Sequence, residues 1–128
     1  MKRTLIFSLI SFLLGVAAGV VIAHNITGKL IEQKASALFA LGTDCQEKDI
    51  NEAISFFYQS IALTPDWYAP HLGLALAYKK KHDAPLALKE FKKARDLIHK
   101  DECIATYDRK LIAAEIMKLQ TEAAGRIE

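Results

Sequence analysis

His99 and Cys103 stand four residues apart, one turn of a helix, so both could offer a metal-ligating atom on one side. Two ligands fall short of the four of a structural zinc site, so the pair reads as a helix-terminal His beside a small apolar Cys. His71 reads as a packing or surface residue of its own helix. The chain has no HExxH pair, no phosphate-cradling glycine loop and no nucleophile elbow; Gly42 and Gly73 sit singly within helical patterns. No catalytic residue, metal or cofactor is expected, and an enzyme is not the expected class.

A second kind of chemistry, close helix packing, is written into Ser11, Gly15, Gly19 and Ala23, small residues recurring every four positions. At helical spacing they share one face, where a neighbouring backbone can come close, and GVAAG within it is a GxxxG motif. Such a face serves a homodimer or the membrane helices of a larger complex. The abundance of Gly and Ala in membrane helices generally is the bland alternative.

That face lies in TLIFSLISFLLGVAAGVVIA, which holds 19 uncharged residues from Leu5 to Ala23. As a helix the run measures roughly 28 Å at ~1.5 Å per residue, close to the ~30 Å of a bilayer's hydrocarbon. A basic start, Lys2 and Arg3, and the small-residue site Val21-Ile22-Ala23 also describe a cleaved signal peptide. The length of the run favours a retained anchor over residues 1–26. Charge density favours the N-terminus inside, which sends the C-terminal part across the membrane, into the periplasm of a bacterial source.

Seventeen basic residues face fifteen acidic ones, and Lys2 and Arg3 account for the whole net charge of +2. The rest is formally neutral, so no nucleic-acid partner is expected. The densest basic stretch, Lys79 to His82 with Lys89, Lys92, Lys93 and Arg95, reads as a loop and a solvated helix face, with contact to anionic lipid or an acidic partner as the minority reading.

Beyond the anchor the pattern repeats. EAISFFYQS at 52–60 and LALKEFKKA at 86–94 align at an offset of 34, matching Ala53 to Ala87, Ile54 to Leu88, Phe57 to Phe91, Ser60 to Ala94 and Leu63 to Leu97. Residues 68–81 predict a helix, HDAP a turn with Pro85 in the first turn of the next helix, and 85–98 the second arm of a hairpin. The unit before it has the same second arm, starting from Asp49 or Asn51 and stopping at Thr64-Pro65-Asp66.

These residues resemble the tetratricopeptide repeat, a 34-residue helix-turn-helix with the pattern W-x2-L-G-x2-Y, A-x3-F, P. Residues 68–101 carry Leu74-Ala75, Tyr78, Ala87, Phe91 and Ala94, with His71 for the leading aromatic and His99 for the closing proline. Residues 30–67 carry Ala53, Phe57, Ser60 and Pro65; their first helix fits when Leu41-Gly42 is taken as the L-G pair and Cys45 as the aromatic. From Glu102 to Ala124, Ile104, Tyr107, Leu111, Ile112, Ile116, Leu119 and Ala123 form one stripe, expected to cap the last repeat.

The expected architecture is all-α: an N-terminal transmembrane helix, two tetratricopeptide-like hairpins over 27–101, and a capping helix and tail over 102–128. The resemblance implies a scaffold that binds proteins in the groove of its first helices, here Ala69, Leu72, Gly73 and Leu76. None of these is a donor, so a carboxylate clamp is not expected. A partner helix or the chain's own helices fill the groove. The expected function is an accessory or assembly subunit of a membrane protein complex, or alternatively a chaperone-like or receptor module for exported or imported polypeptides.

The up-down order places Cys45 and Cys103 at opposite ends of the hairpins, roughly 20 Å apart for helices of ~14 residues. A disulfide needs Cα atoms within about 7 Å, so free thiols are expected.

Overall fold

The computed structural model describes residues 2–98 and 106–125, with side chains for 15–17, 19–98 and 108–125. The described residues are all-α: α1 (Lys2–Cys45), α2 (Ile50–Leu63), α3 (Tyr68–Lys80), α4 (Ala84–Ile98) and α5 (Thr106–Ala124). They divide into two compact units, Met1–Gln33 and Lys34–Glu128, and α1 contributes to both.

Within the first unit α1 exposes Val16, Val20, Val21, Ile22, Ile26, Leu30 and Ile31. Among the described residues no helix is long and apolar enough to cross a membrane. The anchor expected over 1–26 falls on α1, and the side chains of the run's first ten residues, 5–14, lie outside those described.

The second unit is built from helices whose ends are set locally. Asp49, and not Asn51, caps α2, its carboxylate accepting from the backbone N–H groups of Asn51 at 2.9 Å and Glu52 at 3.1 Å. Such a cap contributes about 1 kcal/mol. Helix α2 stops at Leu63 because Pro65 lacks an N–H and disfavours helical geometry in the residue before it. In α3, Pro70 falls in the first turn, where its missing N–H has no helical partner to lose.

Helix α3 ends in a left-handed residue. His82 has φ 59°, the Asp83 N–H donates to the Tyr78 carbonyl at 2.9 Å, and the His82 N–H donates to the Lys79 carbonyl at 3.0 Å. This pair of bonds is a Schellman closure, with His where glycine is the usual choice. Asp83 then starts α4, its side chain accepting from the Leu86 N–H at 3.2 Å and its carbonyl from the Ala87 N–H at 2.9 Å.

Two apolar clusters result. Ala53 and Phe57 of α2 meet Leu74 and Ala77 of α3, with Phe39 and Cys45 of α1 partly buried against them. Ala75 of α3, Ala87, Phe91, Ala94 and Ile98 of α4, and Ile112 and Ile116 with Leu119 of α5 form the other. Tyr78 borders both. Burying each phenylalanine contributes about 1.5–3 kcal/mol.

The α5 stripe is narrower than its sequence pattern. Ile112, Ile116 and Leu119 are buried, but Leu111 is half-buried and Ala123 exposed. Ile104 and the side chain of Tyr107 lie outside the described residues, as do His99 and Cys103 with their expected metal-free, unbridged state. Cys45 is a free thiol.

Candidate functional site

Helices can approach closely only where side chains are small, and the second unit places its small residues around two rings. A Cβ added at Gly42 would lie 2.7 Å from Phe57 Cε1, and one added at Gly73 would lie 2.7 Å from Phe57 Cζ. Phe57 therefore lodges between α1 and α3, and only glycine fits on either side. Ala75 shares a cluster with Phe91, and Gly42 lies against Phe57.

Polar bonds fix this packing. Ser60, fully buried, donates from Oγ to the Ala35 carbonyl at 2.8 Å and ties α2 to α1. Phe39 lies 5.9 Å from the Phe57 ring and 5.1 Å from Trp67 in an edge-on arrangement. The Tyr58 and Tyr78 hydroxyls share a hydrogen bond of 2.8 Å; burial, then that bond, pushes the Tyr78 phenol up to about 12.

Of the residues that define the repeat, Ala53, Phe57, Ser60, Leu74, Ala75, Ala87, Phe91 and Ala94 are fully buried. Tyr78 is half-buried and Pro65 exposed at the α2 stop. The groove reading fares differently. Gly73 is buried beneath Phe57 and lines no groove, while Leu72 and Leu76 pack onto the cluster that α5 completes. Ala69 is half-buried.

In the first unit, nothing lies within 4 Å of a Cβ built on Gly15 or Gly19, and Ala23 is exposed, so these positions are open. The Ser11 side chain lies outside those described.

Two features escaped the sequence. His71 is 7% exposed and Glu90 8%, and the His71 Nδ1 lies 2.8 Å from Glu90 Oε2, joining α3 to α4 across 19 residues. The His71 Nε2 is buried without a partner among the described residues. Second, the lysines at the end of α3 are engaged: Lys79 with Glu115 at 2.6 Å, Lys80 with Glu47, and Lys81 with the Asn51 side-chain oxygen at 2.8 Å. The nearest sequence signal was compositional, the basic stretch itself.

Burial and the nearby Glu52 carboxylate hold the Cys45 thiol above its ordinary range. Its thiolate, the reactive form, is correspondingly scarce at neutral pH. Among the described residues no three His, Cys, Asp or Glu side chains gather as a metal site. Compared with protein-family models, with curated proteins and with solved structures, the chain matches none of them.

Proposed function

We propose that the chain is a membrane-tethered, tetratricopeptide-like interaction scaffold serving as an accessory or assembly subunit of a membrane protein complex. The observation that carries the reading is the lodging of Phe57 between Gly42 and Gly73, with Phe91 packed against Ala75 in the next hairpin. Buried rings at a 34-residue interval, each packed with small residues of a neighbouring helix, are what a helical repeat needs to stack, and stacked helical repeats present surfaces to proteins.

The apolar run Leu5–Ala23 supports a membrane anchor, and the openness of Gly15 and Gly19 supports packing of that anchor against another helix. A tether confines the search for partners to the membrane surface and raises their effective concentration. Packing of Leu72 and Leu76 onto the α5 cluster favours a stable subunit over a module that captures segments in an open groove.

Co-purification of the full-length chain in mild detergent tests this reading, comparing it with a Gly15→Ile, Gly19→Ile variant. A partner in fixed ratio, lost from the variant, is the expected result. A lone chain in both samples would overturn it.

A further inference from the structure

The basic stretch of the sequence separates into two groups in the structure. Lys79, Lys80 and Lys81, at the end of α3, each bond an oxygen from elsewhere in the chain. On α4, Lys89, Lys92 and Lys93 crowd into little more than one turn and line one surface depression with His71, Glu90 and Asp96. Both carboxylates there are already engaged. Glu90 Oε2 lies 2.8 Å from His71 Nδ1, and Asp96 accepts from Arg95 Nε at 3.1 Å and Nη2 at 2.9 Å. Among the described residues no hydrogen bond or ion pair engages the three lysines. Like charges three and four apart on a helix repel and weaken it, so α4 carries a cationic face that only an external anion relieves.

We propose that the face Lys89, Lys92 and Lys93 lies against the anionic headgroups of the membrane that anchors the chain. Two observations favour a lipid surface over an acidic protein or a bound phosphate. The first is the kind of donor. A discrete carboxylate or phosphate is best held by the fixed fork of an arginine, and the one arginine beside these lysines is taken by Asp96. Lysines are compact charges on flexible stems, which suit a mobile layer of headgroups, where charge density alone gives attraction. The second is distance along the chain. Only residues 24–33 separate the apolar run from the second unit, a rise of roughly 15 Å as helix, so that unit begins close to the headgroups whichever way it turns. The inference rests on the membrane-tether reading and adds a second contact with the same bilayer.

The test reconstitutes the full-length chain in vesicles of phosphatidylcholine, with and without roughly one-third phosphatidylglycerol, and reads brief lysine acetylation by mass spectrometry. Lys110 and Lys118, exposed on α5, are the internal references. With phosphatidylglycerol, Lys89, Lys92 and Lys93 should react about fivefold or more slowly relative to those references, and about 1 M salt should restore their rates. Lys89→Gln with Lys93→Gln should return Lys92 to its rate in phosphatidylcholine; both residues are exposed and make no bond, so the wild-type melting curve is kept. Slowing shared equally by Lys110 and Lys118, or no slowing, overturns the face and leaves an acidic protein as its occupant. Equal protection by inorganic phosphate in phosphatidylcholine vesicles overturns it in favour of a discrete phosphate site. Flotation after an alkaline wash reads the tether separately: a chain that stays with the vesicles unprotected refutes the face alone, whereas a chain washed off refutes both.

Discussion

Phe57 rests directly on Gly73, so closely that a single methyl group at position 73 would come within 2.7 Å of the ring. The contact sets how near α3 can come to α2. Gly73→Ala gains helix propensity of about 1 kcal/mol, whereas crowding a packed core costs about 1–3 kcal/mol. Because the neighbour is a fully buried ring already pressed by Gly42 from the other side, crowding wins. Thermal melting of the full-length chain should show net destabilisation for Gly73→Ala. In a Phe57→Leu background the same substitution should become neutral or stabilising, and an unchanged penalty there would remove Phe57 as its cause.

His71 and Glu90 should depend on one another. Removing one partner leaves the other buried without its bond, a loss of about 1–3 kcal/mol. Replacing both with apolar residues of similar size removes the unmet need as well as the bond. Glu90→Leu alone should therefore destabilise more than His71→Phe with Glu90→Leu together, as read from melting midpoints. A loss in the double variant equal to the sum of the two single losses would mean that the bond contributes nothing beyond packing volume.

The left-handed His82 offers a stabilising change. A side chain in that conformation costs about 1 kcal/mol that glycine does not incur, and His82 is exposed with no core contact to lose. His82→Gly should raise the melting midpoint, with the gain reduced by the greater freedom of glycine in the unfolded chain. A lower midpoint would show that the His82 side chain has a stabilising partner.

Much of the hairpin order was legible because punctuation and periodicity coincide: Asp49 and Pro65 bracket α2, Pro85 opens α4, and Ala53, Phe57, Ala87 and Phe91 recur at 34. Gly73 was misplaced into the groove because a helical wheel fixes relative angles and not which neighbour arrives on each side. The His71–Glu90 pair was invisible for a related reason. Its partners lie on different helices, and only the crossing of α3 with α4 brings them together.

Tyr78 should make stability depend on alkaline pH. Its phenol is pushed up to about 12 from an ordinary value near 10, first by burial and then by the bond to Tyr58. The folded chain thus holds the Tyr78 proton more tightly than the unfolded chain does. Stability from this source is complete below pH 10 and is lost as pH rises from 10 through 12. The wild-type slope sums every group that titrates at alkaline pH, so a reference lacking only this phenol is needed. Tyr78→Phe keeps the ring and removes the titrating group, and the difference between the two melting-versus-pH profiles isolates it. A profile for Tyr78→Phe that falls as steeply as wild type between pH 10 and 12 would show that the alkaline loss does not come from Tyr78.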